Sequence, residues 1–320
     1  MKLTRRDLVG LTLAAPALIT TPARARLGAP LGDQNTGWAR FSLGAFQITV
    51  ISDGNLVIPT DMIGSNVDRA EVMAFLEGRH LDPRTNFSHT NHVLIDTGAA
   101  KVLVDVGSGE RFQPTAGRLS PNMEAAGIDP GEITHVALTH AHPDHVWGML
   151  DDFDELRFPE AAYTIAAAEF DWWTAKGRVD EVPEAMQAMV VGAQNALRPV
   201  VERTAMAVNE TEIVPGIRMI DTPGHTLGHM AVIVESAGEQ LMVLGDAVNH
   251  AYAGFEHPDW HFGFDMDRDQ AVATRRRLLD MAATDRIAIA AYHLPFPGIG
   301  HVIRRGDAYQ FLPEMWRWGE

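Results

Sequence analysis

Seven residues, Thr139-His140-Ala141-His142-Pro143-Asp144-His145, carry three imidazoles and a carboxylate so close together that the fold must bring them to one point. Ordinary core packing makes no such demand. The preceding run Ile133-Thr134-His135-Val136-Ala137-Leu138 is β-branched and apolar, the composition of a buried strand, so His140 and His142 should leave its end on the same side. Pro143 turns the chain, and Asp144 and His145 then open a helix that points them back towards the first two histidines. Nitrogen and carboxylate ligands with no thiolate suit Zn²⁺, or Mn²⁺, Fe²⁺ or Co²⁺, and a cluster this dense can hold two ions. A His-rich surface turn is the plain alternative, and it would need no partners elsewhere in the chain.

Partners are present. Thr222-Pro223-Gly224-His225-Thr226, Leu244-Gly245-Asp246 and Ala291-Tyr292-His293 follow downstream, and Val102-Leu103-Val104-Asp105-Val106-Gly107-Ser108-Gly109 precedes. Together with the H-x-H-x-D-H spacing, these segments resemble the metallo-β-lactamase fold hydrolases over nearly the whole chain after residue 40. Any one segment is a weak signal, whereas five in the right order are a strong one.

The resemblance implies an α/β fold, a four-layer αββα sandwich. It also implies that His140, His142 and His225 hold a first metal and Asp144, His145 and His293 a second, with Asp246 bridging and Asp105 behind the ligands. Two divalent cations, Zn²⁺ foremost, roughly 3.5–4 Å apart share a water and lower its pKa towards about 7, which supplies hydroxide at neutral pH. The expected reaction is attack by that bridging hydroxide on an ester-like carbonyl or phosphoryl centre, with Asp144 or a bound water protonating the leaving group. Asp144 and Asp246 are thus the expected catalytic carboxylates. Ligation needs neutral imidazole, and a carboxylate on the far ring nitrogen fixes the tautomer, a role for Asp105.

For the substrate, Phe264-Asp265, Asp269-Gln270-Ala271 and His293-Leu294-Pro295-Phe296-Pro297-Gly298-Ile299-Gly300-His301 resemble the branch containing methyl parathion hydrolase and related lactonases more than the antibiotic-degrading β-lactamases. Acyl-homoserine lactonases carry a Tyr three residues after the bridging Asp. Here that position is Asn249, with Tyr252 and Tyr292 as substitutes. Lactones and carboxylic esters are therefore the expected substrates, organophosphate triesters the alternative, and a non-catalytic periplasmic metal-binding protein the reading of another class. The basic C-terminal region of glyoxalase II is absent, and so is the Glu of flavodiiron proteins, whose place falls at Ala141 or Pro143. Trp147, Phe264, Asn249 and Tyr252 are the candidate pocket residues. The aromatic segment from Ala166 to Pro199, with Phe170, Trp172 and Trp173, fits burial in the core or a homodimer interface, or else a wall over the metals. His229, four residues beyond His225, is set aside as a ligand, and His89 and His92 show no partner.

Thr4-Arg5-Arg6-Asp7-Leu8-Val9 precedes an apolar run ending at Ile19, and Ala23-Arg24-Ala25 offers small residues for cleavage, so residues 1–25 read as a twin-arginine-type signal and the protein as periplasmic or secreted. The run is too short to span a bilayer as a helix. Residues 26–320 then form a single catalytic domain. Lys2, Arg5, Arg6 and Arg24 against Asp7 give the leader a net +3, so the remainder carries −19 against −16 for the whole chain. Such a surface excludes nucleic acid and anionic membranes as expected partners. Cysteine is absent, which removes disulfides and thiolate ligands alike.

Strands are expected at 46–51, 92–95 and 102–104 in one half and at 217–220, 230–234 and 241–244 in the other, with a hairpin turn over Thr97-Gly98-Ala99-Ala100. Ser120-Pro121 should cap a short helix that Gly127 ends, Pro183 should open a helix running to Leu197, and Asp267-Arg268-Asp269-Gln270 should cap another running to about Ala282.

Overall fold

The computed structural model describes residues 36–315. The proposed leader lies outside the described residues.

The first half builds a sheet of β1 (Trp38–Leu43), β2 (Phe46–Pro59), β3 (Thr85–Asp96), β4 (Lys101–Val104), β5 (His135–Leu138), β6 (Ala162–Ala166) and β7 (Thr204–Ala207), neighbours in that order. The second builds a sheet of β8 (Thr211–Val214), β9 (Ile217–Asp221), β10 (Met230–Ser236), β11 (Glu239–Val243), β12 (Ala288–Ala290), β13 (Ile299–Arg305) and β14 (Ala308–Pro313). In each sheet antiparallel strands pass into parallel ones, from β4 through β7 in the first and as the pair β11 with β12 in the second. The crossovers carry α2 (Leu119–Ala125) in the first half and α8 (Arg268–Asp285) in the second. Parallel strands end together, so the turns after β4, β5, β11 and β12 open at the carboxyl ends of their strands, where α/β sheets place their sites.

Alternation along the strands makes the layers. Val102 and Val104 face the other sheet while Leu103 faces the helices, and on β5 Val136 and Leu138 face the helices while Ala137 faces inward. On β10, Val232 and Val234 face the first sheet while Ala231 and Ile233 lie beneath α8. Both faces of these central strands are therefore buried, and each fully buried Val, Leu or Ile contributes roughly 1.5–3 kcal/mol. The helices α2, α4 (Ala167–Thr174), α5 (Arg178–Glu181) and α6 (Glu184–Leu197) cover the first sheet, α8 with α7 (Ala253–Glu256) covers the second, and α1 (Arg69–Gly78) packs on Trp260 and Phe262. The result is the αββα sandwich.

Local details differ from expectation where long-range contacts take over. Strand β2 runs on to Pro59 through an irregularity between Ser52 and Gly54, because its full length pairs with β3, which starts at Thr85. Helix α2 starts at Leu119 rather than being capped by Ser120. Its first amide is satisfied by the buried carboxylate of Asp53, 66 residues away, which also accepts from the Ser108 amide and hydroxyl. Helix α8 is capped by Asp267 as expected, but the Gln270 side chain turns to Thr274 instead of closing the reciprocal half of a capping box. Among the described residues no helix is long and apolar enough to cross a membrane.

Candidate active site

The turn after β5 delivers the first group. Pro143 opens α3 (Pro143–Val146), a single helical turn, and the amide of His145 bonds back to the His142 carbonyl, so Asp144 and His145 are folded under His140 and His142. From the second sheet come His225 on the turn after β9, Asp246 after β11 and His293 after β12. All seven side chains are buried.

Two trios of ligand atoms meet, His140 with His142 and His225, and Asp144 with His145 and His293. Asp246 joins them. Its Oδ2 lies 3.2 Å from His225 Nε2 and 3.0 Å from His293 Nε2, and its Oδ1 lies 3.1 Å from His145 Nε2. That last pair is close in space, yet both atoms are buried and lack a well-formed hydrogen bond. His140 Nε2 and Asp144 Oδ2 are likewise buried without a partner. Four polar atoms buried and unpaired in one spot are costly, and a shared cation is the group that takes up lone pairs from all of them. The donor set therefore fits divalent metal.

Electrostatics point the same way. Burial first, and then the neighbouring imidazoles, hold His140 and His142 well below the ordinary histidine range, so both are neutral and able to ligate. Burial also acts against charge on His145 and His293, yet the carboxylates of Asp246 and Asp144 outweigh it and push both upward. Burial would lift Asp246, but His293, His145 and His225 overrule it and hold the carboxyl well below its usual range. The centre is a place where positive charge is favoured.

Four of the five imidazoles are also tied at the far nitrogen, which sets tautomer and ring direction, while His142 Nδ1 faces His225 Nε2 at 2.9 Å. His145 Nδ1 lies 2.8 Å from Asp105, which also accepts from the Thr139 amide and hydroxyl. His225 Nδ1 lies 2.9 Å from Asp265, and Arg275, fully buried, backs Asp265 while donating to the carbonyls of Pro258, Trp260 and Ala247. His293 Nδ1 bonds the His89 carbonyl, and His140 Nδ1 meets the Thr139 hydroxyl. His229 is no member of either trio: burial holds it neutral, with a pKa of about 3, and its Nε2 accepts the Asp246 amide at 3.0 Å. His92 supports from below through Tyr292, whose hydroxyl donates to the Asp144 carbonyl. Local spacing offered no signal for Arg275 or His92, which reach the site across tens of residues, and it drew attention to His229 without showing that it supports the Asp246 amide.

A narrow cavity of about 70 Å³ opens onto His142, Asp144, His225, Asp246 and His293. Its walls are Leu56, Ile58, Phe112, Met189, Phe262 and Phe264, with Ser88, Gln113 and Asn249 as the polar groups and no Lys or Arg. Two expected pocket residues lie elsewhere. Trp147 sits one layer back, edge-on to Phe112 and pressed against Gly192, where a Cβ would come within 2.2 Å of the indole nitrogen. Tyr252 is 42% exposed and lines a separate cavity of about 760 Å³ beside α7 and β14 that contains none of the ligand residues. Tyr292 cannot stand in for the missing tyrosine either, since its hydroxyl is committed to His92 and the Asp144 backbone. The segment from Ala166 to Pro199 combines two of its expected roles: Trp173 is core and touches His142 edge-on at 5.6 Å, while Met189 reaches the wall.

A family model described as the metallo-beta-lactamase superfamily matches residues 85–293. An N-acyl homoserine lactonase of Bacillus cereus is 23% identical over 240 residues, spanning 69% of this chain and 84% of its own length. Among solved structures, AidC, a dizinc quorum-quenching lactonase in complex with a product, superposes with a TM-score of 0.83 at 26% identity, covering 88% of this chain and 98% of its own. The hydrolase AbOPH of the beta lactamase superfamily does so with a TM-score of 0.82 at 28% identity, covering 89% and 99%.

Proposed function

This chain belongs to the metallo-beta-lactamase superfamily and is a metal-dependent hydrolase, and from that premise we propose that it holds two divalent cations and hydrolyses neutral lactones or carboxylic esters with an apolar acyl part. His140, His142 and His225 would hold one ion, Asp144, His145 and His293 the other, and Asp246 would touch both. When bound, such a pair supplies hydroxide at neutral pH and stabilises negative charge developing on the electrophilic oxygen.

The protein's own groups do the rest. Thr139, Asp105, Asp265 and the His89 carbonyl fix the imidazoles, so little reorganisation is left for the reaction itself. Asp144 lies beside the cavity, and the carboxylate oxygen that a metal leaves free could pass a proton to the leaving oxygen. The Oε1 of Gln113 is tied to the Val57 amide, which leaves its Nε2 donor for a ligand on the wall.

The observation that carries the substrate reading is the wall itself. An apolar wall with no Lys or Arg among the described residues that line it offers a slot for an uncharged acyl group and no basic side chain to hold a substrate carboxylate. The B. cereus lactonase and AidC support the lactone class. The same uncharged wall admits neutral phosphotriesters, which are the second reading. A hydrolysis panel with metal-reconstituted protein tests it: turnover of lactones and esters is expected, and a panel with no turnover would leave a metal-binding protein. Export is part of the proposal. Replacing Arg5 and Arg6 by Lys should retain the protein in the cytoplasm, and a mature protein still starting near Arg26 outside the cytoplasm would refute the twin-arginine signal.

A further inference from the structure

One buried carboxylate near the centre belongs to neither the ligand set nor the substrate wall. Glu169, in the first turn of α4, is fully buried. Its Oε1 accepts the Ala141 amide at 2.9 Å and the Trp173 indole N–H at 2.6 Å, and its Oε2 accepts the Gly228 amide at 3.0 Å. Ala141 lies between His140 and His142, and Gly228 follows His225 by three residues. One side chain on a helix thus grips the backbone of both turns that supply the all-histidine trio, although those turns belong to different sheets.

We propose that Glu169 is a positioning residue for the first metal: it sets the spacing between the turn carrying His140 and His142 and the turn carrying His225. This rests on reading that trio as a metal site. The chemistry of the grip favours this role over simple helix anchoring. An ionised carboxylate only accepts, and N–H donors converge on both of its oxygens, so charge and geometry match. Burial raises the Glu169 pKa against the pull of the Thr226 hydroxyl and these N–H donors, so the carboxylate is kept buried at a cost. None of the N–H groups that bind it is charged, and a cation on the adjoining trio is the charge that would offset the cost. The approach is also as close as it can be. A Cβ on Gly228 would lie 2.3 Å from the Glu169 backbone nitrogen, so the His225 turn rests directly on the start of α4.

Glu169→Gln keeps the shape but turns one acceptor into a donor, which meets either the Gly228 amide or the pair from Ala141 and Trp173. The experiment titrates Zn²⁺ into the metal-free full chain against a chromogenic chelator and follows thermal unfolding of the metal-free protein alongside. For Glu169→Gln, one of the two metal equivalents should weaken by about tenfold or more, the range for losing a group that orients ligands, while the other stays within about twofold and the unfolding midpoint shifts little. Trp173→Phe, which removes only the indole donor and leaves both backbone ties, should bind both equivalents nearly as the wild type does. Gly228→Ala keeps the carboxylate but crowds the contact. It should weaken the same equivalent, and it supplies the test if Glu169→Gln does not fold. Two unchanged equivalents in both Glu169→Gln and Gly228→Ala would overturn the inference, as would equal weakening of both equivalents together with a collapse in unfolding midpoint. A wild type that binds no Zn²⁺ would instead overturn the metal-site reading on which the inference stands.

Discussion

The two halves of the sandwich contribute to the centre in opposite styles. The first places four of its residues, His140, His142, Asp144 and His145, on a single turn whose local backbone presets their directions. The second places His225, Asp246 and His293 on three separate turns, and each is steadied from afar: His225 by Asp265 and Arg275, the Asp246 amide by His229, His293 by the His89 carbonyl. The contiguous group shares one backbone turn that sets its relative geometry, with Asp105 and Glu169 as its distant supports. Scattered ligands depend on supports that are themselves far apart in sequence, so the second half should be the more fragile to substitutions that touch no metal.

The largest effect should come from the residue of the second half that reaches both trios. Asp246→Asn removes the charge facing His145, His225 and His293, and hydrolysis should fall by about 10³-fold or more, some 4 kcal/mol of transition-state stabilisation. Steady-state kinetics on the best lactone would show it, and a variant with near-normal rate would remove Asp246 from its central place. Next come the supports. Asp265→Asn keeps an acceptor for His225 but loses the charge, and metal affinity or activity should drop by about 10–100-fold. Thr139→Val, the local counterpart in the first half, should cost only a few-fold. Equal losses in the two variants would break the contrast between the halves.

The same contrast explains what the sequence made legible. The contiguous turn could be read outright, because imidazoles at i, i+2 and i+5 with a carboxylate are a local pattern. His225, Asp246 and His293 could be placed only by their order and their Pro-Gly and Gly-Asp settings. Their supports could not be placed at all, since nothing in the local sequence around Asp265 or Glu169 says which distant amide or imidazole it will meet. Strands were visible as apolar runs, but the extension of β2 and the start of α2 were settled by pairing with β3 and by Asp53. Trp147 was expected at the pocket on sequence proximity to His145, yet α3 ends there and the ring turns into the space that Gly192 leaves open.

Both halves wall the proposed substrate cavity, Leu56, Ile58, Phe112 and Met189 from one and Asn249, Phe262 and Phe264 from the other. Lactones and aryl esters should exceed β-lactams in kcat/KM by at least about tenfold, roughly 1.4 kcal/mol, because no Lys or Arg lines the slot to hold a carboxylate. β-Lactams as the best substrates would overturn this account of the wall. Trp147→Ala should leave KM within about twofold while lowering stability by about 3 kcal/mol, as loss of a large packed ring does. A raised KM at unchanged stability would return that ring to the pocket.

The smallest expected effect is acid sensitivity in the second half. His250 Nδ1 accepts the amides of Tyr252 and Ala253, which only neutral imidazole can do, and burial followed by Arg79 lowers its pKa to about 4. In the unfolded chain the group titrates near the ordinary value of about 6.5, so the unfolded state takes up the proton first. Its contribution is therefore present above that value and is lost as pH falls towards about 4. Thermal unfolding between those limits should be less acid-sensitive in His250→Asn than in the wild type, and parallel profiles would remove His250 as a cause.

Metal content per chain bears most directly on the proposal that the two halves together hold a dinuclear centre. Elemental analysis of the purified protein, read beside lactone hydrolysis before and after chelation, should give two divalent ions per chain and an activity that is lost with them and restored by adding them back. One ion or none at full activity, or hydrolysis that survives complete removal of metal, would contradict it.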